Sequence, residues 1–174
     1  HLMRARAIRP SVHVYYHLGL AFMDARNFTS ALNVLMLARA SDVRGVMLDV
    51  HMAMGKCLGR LGMHVQALEV FSGVIRKNKR LAHAYHERAL CHLQLPVRSL
   101  DRELVQRHHA ISDFRKAVAL DPSNLVAFVQ RGDLYASLGR TSLALADYDR
   151  ACALDANFHV AFLNRAVLMY RQGH

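Results

Sequence analysis

His83 and His86 stand three residues apart, and His108 is followed directly by His109. On a helix the first spacing sets two imidazoles on one face, where they could ligate a metal ion or make a pH-dependent contact. A metal site also needs a third convergent ligand and groups that orient it. No Asp, Glu or Cys stands at a suitable spacing, so the sequence calls for no metal and no cofactor. Cys57, Cys91 and Cys152 are odd in number and far apart. That usage fits reduced thiols in an intracellular protein, cytoplasmic by default. There is no Gly-rich phosphate loop, no nucleophile elbow and no pair of carboxylates on one helical face, which argues against an enzyme.

The elements that carry these residues repeat. Ala31, Ala67, Ala110 and Ala144 each precede a large apolar residue by four positions: Leu35, Phe71, Phe114 and Tyr148. Ala38, Val74, Ala117 and Ala151 follow seven positions after the same alanines. Gly19, Gly55 and Gly132 stand at one fixed distance upstream, each followed three residues later by Phe22, Leu58 or Tyr135. The underlying period is 34 residues, and self-similarity at that period marks a stack of helical hairpins. The units run 12–45, 48–81, 82–124, 125–158 and, incomplete, 159–174, after a tail or tag remnant at 1–11. The fourth position of each unit reads Tyr15, His51, Tyr85, Phe128 and Phe162, and the eighth Gly19, Gly55, Ala89, Gly132 and Ala166. A small eighth residue lets the partner helix approach, while the aromatic knob fills the space beside it.

This pattern resembles the tetratricopeptide repeat. The fullest match is Phe128, Gly132, Tyr135, Gly139, Ala144, Tyr148 and Ala151, preceded by Asp121-Pro122-Ser123. The leucine that usually precedes the small residue survives as Leu18 but becomes Arg88, Arg131 and Arg165, and Val43, Lys79 and Ala156 replace the terminal proline. The resemblance implies an all-α, right-handed superhelical solenoid of antiparallel helix pairs forming one domain over 12–174. Its helices are expected at 12–25, 28–41, 48–61, 64–77, 82–94, 100–119, 125–138, 141–154 and 159–172. Gly62 and Gly139 would close their hairpins, and Asp42, Ser123 and Asn157 would cap helices.

Two departures bear on packing. Asp113 precedes Arg131, and Asp147 precedes Arg165, by 18 residues each time. The offset predicts ion pairs from the second helix of one unit to the first helix of the next, and leaves Arg88 without a matching acid, with Glu69 as one substitute. Nine extra residues, Leu95 to Glu103, fall inside the third unit. Pro96 should end its first helix, and Ser99 or Asp101 should cap a second helix about two turns longer than its siblings. The extra length reads first as a tolerated loop change and second as a projection that touches a partner.

The chain of 174 residues carries a net charge of +10, with 14 of its 23 basic residues and 5 of its 13 acidic ones within 1–100. Clusters at Arg4, Arg6 and Arg9 and at Arg76, Lys77, Lys79 and Arg80 read as solvated edges, or as contacts for phosphate or anionic lipid. Aromatic residues are not interleaved with these cations, which argues against nucleic acid. No apolar run approaches the length of a transmembrane helix and no leader is visible. The last unit, lacking its second helix, reads as cut from a longer repeat protein. Its uncovered face would allow self-association.

In this family the first helices line a concave groove. The residues expected there are His13, Tyr16, Asp49, Met52, Lys56, Arg60, His83, His86, Gln94, Gln130, Asp133, Asn164 and Arg171, with no catalytic residue among them. The mixture of apolar, amide and charged groups suits a partner's extended segment or helix. A chaperone carboxylate clamp is disfavoured, because its Lys, Asn and Arg places hold His86, Leu90, Gln130, Val160 and Asn164. The expected function is a non-catalytic protein-interaction scaffold within a larger complex. The competing reading is a basic adaptor for nucleic acid or anionic membrane through the N-terminal half.

Overall fold

Glycines and alanines on one helix face large apolar residues on the next, and this pairing builds the fold. A computed structural model of the chain describes residues 11–41, 47–96 and 99–173. Among them every regular element is an α-helix, in the order α1 Val12–Asp24, α2 Phe28–Ser41, α3 Leu48–Arg60, α4 His64–Lys77, α5 Ala82–Leu93, α6 Leu100–Leu120, α7 Leu125–Ser137, α8 Thr141–Leu154 and α9 His159–Arg171. The expected helix pairs are all present. The chain divides into two compact units, His1–Val74 and Ile75–His174.

In the first unit α1 and α2 form a hairpin whose core is Ala31, Leu35 and Ala38, continued by Val50, Met54 and Cys57 of α3. Gly19 is small of necessity, since a Cβ there would lie 2.6 Å from Leu35 Cδ2. Gly55 meets the Phe71 ring of α4 in the same way. The oxygen of Ser11 accepts the Val14 N–H to cap α1, and that of Asn27 accepts the Ser30 N–H at the start of α2. Asp42, expected as a cap, lies outside the described residues.

The second unit holds two hairpins, α5–α6 and α7–α8, and the final α9. Its core runs from Ala89, Ala110 and Phe114 through Phe128, Tyr135, Ala144 and Tyr148 to Ala161 and Leu168. Tyr148 is almost wholly buried beneath Gly132. Asn124, and not Ser123, caps α7, its side chain accepting the Ala127 N–H at 3.0 Å. The Ser123 hydroxyl turns back to Asp121 instead. Asn157 does not cap α9 either; its N–H donates to Asp155 Oδ1, and Phe158 stands at the cap position. Asp121 and Asp155 instead accept the backbone N–H groups of Ser123 and Asn157, closing the turns that precede α7 and α9.

The arginines pair differently from expectation. Arg88 finds Asp113, with Nε 2.7 Å from Oδ2 and Nη2 2.7 Å from Oδ1. Arg131 finds Asp147, and Arg165 finds Asp149 at 2.9 Å. The first two pairs lie within one hairpin, because the hairpin brings Arg on the first helix opposite Asp on the second. Asp113 is therefore already engaged and does not serve Arg131.

α6 is 21 residues long against 14 in α8, and the end of the insertion, Leu100 to Glu103, forms its first turn. Ser99 caps it, accepting the Arg102 N–H. Leu163, on the last helix, is 63% exposed, whereas Val129 at the equivalent place on α7 is 5% exposed.

Candidate partner-binding face

α7 lies between two clefts of the second unit, and Asp133 and Ser137 line both. The first cleft, about 390 Å³, is walled by α5, the start of α6 and α7. Its floor is apolar, formed by Leu90, Leu93, Leu95 and Leu134. Its rim comes largely from the lengthened helix, as Glu103, Gln106 and Arg107. The second, about 420 Å³, lies toward α8 and α9, with Tyr148, Asn164, Val167 and Arg171 among its lining residues.

The extra turns of α6 are tied down on both sides. Arg107 holds Glu103 four residues back and donates from Nη1 to Ser137 Oγ on α7 at 2.8 Å. His92 Nδ1 of α5 donates to Gln106 Oε1 at 2.8 Å. Burial lowers the His92 pKa, outweighing its hydrogen bond to Gln106 and the nearby Asp113 carboxylate, so the ring is neutral at pH 7. Gln130 is oriented from below, its Oε1 accepting from His86 Nε2. On α7, Asp133 Oδ1 accepts both the Tyr148 hydroxyl at 2.8 Å and Asn164 Nδ2 at 2.7 Å. Burial and these carboxylate contacts push the Tyr148 phenol well above its ordinary range.

Of the expected groove residues, the structure brings Gln130 and Asp133 together at the first cleft, and Asp133, Asn164 and Arg171 at the second. Gln94 is exposed at the end of α5, and His83 is half-buried beside Glu87 at 3.2 Å. Two residues are corrected. Met52 is only 7% exposed and His86 only 8%. Each sits at the fifth position of its repeat, where Val129 is also buried but Tyr16 is half-buried and Leu163 exposed; His86 packs its ring 5.8 Å from that of Phe114. In the first unit His13, Asp49 and Arg60 are exposed, Lys56 is half-buried, and burial, with the Asp49 carboxylate second, raises the Tyr16 phenol.

Sequence reasoning missed His92, Glu103, Gln106 and Arg107. The Glu103/Arg107 spacing of four was visible, but nothing local showed that the insertion would lie against α5 and α7. No cluster of three metal-ligating side chains occurs among the described residues. Burial raises the Cys57 and Cys91 thiols to about 11, so both stay protonated at neutral pH.

A family model for the TPR repeat matches residues 132–173, the stretch from Gly132 through α9. A thermophilic TPR protein of Thermus thermophilus superposes with a TM-score of 0.77 at 20% identity, over 94% of this chain and 84% of that one. The fold is that of the tetratricopeptide-repeat proteins. YrrB, described as a TPR protein with an unusual peptide-binding site, superposes at 0.70 with 19% identity over 89% of this chain and 74% of its own. MamA of Desulfovibrio magneticus does so at 0.70 with 19% identity, over 85% and 77%. No curated protein sequence matches the chain. TPR proteins as a class are protein-binding scaffolds, and no helix among the described residues is long and apolar enough to cross a membrane.

Proposed function

We propose that the chain is a non-catalytic TPR scaffold that holds a segment of a partner protein along the face carried by α5, α7 and α9, as part of a larger assembly. The observation that carries this reading is the pair of clefts flanking Asp133, which put an apolar floor beside open polar groups on adjoining stretches of one surface. Extended peptides are bound by that combination, with side chains entering pockets and main-chain groups meeting amides and carboxylates. The fold likeness to YrrB, whose description names a peptide-binding site, adds support.

The test uses two substitutions on exposed lining residues. Leu93 is 36% exposed and Val167 41%, so Leu93→Glu with Val167→Glu should leave the fold intact while charging both clefts. A protein partner recovered by the wild type at low and high salt, and lost with the folded double variant, supports the reading. Recovery only of nucleic acid or lipid that washes off with salt, whichever chain is used, refutes it.

A further inference from the structure

The first cleft is better equipped for one kind of side chain than for others. Arg107 and Glu103 pair with each other, both Nε and Nη2 of the arginine reaching Oε1, so their charges cancel locally. His92 is neutral, since burial lowers its pKa. Asp133 remains. Its Oδ1 is held by two neutral donors, Tyr148 and Asn164, and among the described residues no donor stands on Oδ2. Arg171 lines the neighbouring cleft, but no ion pair joins it to Asp133 among the described residues. In a chain of net charge +10, Asp133 thus lines both clefts as a carboxylate without an ion-pair partner among the described residues, and four leucines share the first cleft with it.

We infer that the cleft is the subsite for an arginine side chain of the bound segment, an inference that rests on the partner-binding reading of this face. The three methylenes of an arginine lie well on leucine, and its planar guanidinium needs an acceptor at the far end. Asp133 Oδ2 supplies a charged one, and the unused Glu103 Oε2 a second. The amide ends of Gln106 and Gln130, each with its oxygen already engaged, are left to donate to carbonyls of the partner's main chain. The two extra turns of α6 acquire a role here: they wall the cleft and carry Glu103 and Gln106 to it.

The experiment titrates the full chain with Nα-acetyl-arginine amide, its neutral isostere Nα-acetyl-citrulline amide and Nα-acetyl-norleucine amide. Chemical shifts of the Gln106 and Gln130 side-chain amides and of the Leu134 and Ser137 backbone are followed. The arginine probe should give saturable shifts at millimolar concentration, with citrulline and norleucine at least about tenfold weaker. Asp133→Asn keeps an oxygen for Tyr148 and Asn164 while turning Oδ2 from a charged acceptor into an amide donor. It should abolish the preference with an unchanged Tm, while Glu103→Gln should weaken it about threefold. Equal shifts from citrulline, an arginine response untouched by Asp133→Asn, or no saturable response would each overturn the arginine subsite. None of these would by itself remove the partner-binding face, which is decided separately by the Leu93 and Val167 variants.

Discussion

Arg131 grips Asp147 with two hydrogen bonds, Nε to Oδ2 at 2.8 Å and Nη2 to Oδ1 at 2.6 Å, inside the α7–α8 hairpin. The side chains are 14% and 7% exposed, and the guanidinium also lies 5.6 Å from the centre of the Phe128 ring. A pair this buried and two-pronged is costly to break singly. Asp147→Ala should cost about 3 kcal/mol in chemical denaturation, and a double-mutant cycle should give Arg131–Asp147 a coupling above about 1 kcal/mol. The Arg131–Asp113 cycle should give about zero, within the additivity expected for sites without a shared contact. Arg165→Ala, whose pair with Asp149 is 40% and 55% exposed, should cost under about 1 kcal/mol.

Gly132 tolerates no larger residue without movement. A Cβ there would lie 2.7 Å from Tyr148 Cε1 and 3.3 Å from the Ala144 carbonyl. Helix propensity favours alanine by about 1 kcal/mol, but forcing a buried ring aside costs about 1–3 kcal/mol. Gly132→Ala should therefore lower stability by about 1 kcal/mol. The cost should shrink in a Tyr148→Leu background, measured as a positive interaction in thermal unfolding.

Arg26 closes the α1–α2 hairpin with φ of 57°, where Gly62 and Gly139 serve the α3–α4 and α7–α8 turns with φ of 77° and 71°. A side chain in the left-handed region carries a strain of about 1 kcal/mol, which exceeds the extra unfolded-state entropy of glycine. Arg26→Gly should raise the denaturation midpoint, corresponding to about 0.5 kcal/mol. An unchanged or lower midpoint would show that Arg26 is not strained.

His92 makes stability depend on pH. Burial lowers its folded pKa below the unfolded value near 6.5, so the unfolded chain binds the proton first as the pH falls. The stability it contributes is fully present above about pH 6.5 and is lost on acidification from there toward its lowered folded pKa. Thermal unfolding between pH 7.5 and 5.5, ranges taken around that ordinary histidine value, should show a smaller loss for His92→Gln than for the wild type. Equal slopes would place the acid sensitivity elsewhere.

The sequence by itself determined the helices and their order. Hairpin spacing is written locally: an alanine four before a large apolar residue, and in three of the four hairpins a glycine twelve before that alanine. These are constraints of helix period and close approach, and neighbours in the chain satisfy them. Tertiary structure alone decided which fifth-position residues became core. Met52 and His86 read as lining from their period but are only 7% and 8% exposed. It also decided the ion pairs, because the partner of an arginine depends on the angle at which two helices cross and not on a residue count. Finally, it decided the use of the nine extra residues. Their sequence promised a longer helix, but only its packing against His92 and Ser137 turned that length into the wall of a cleft.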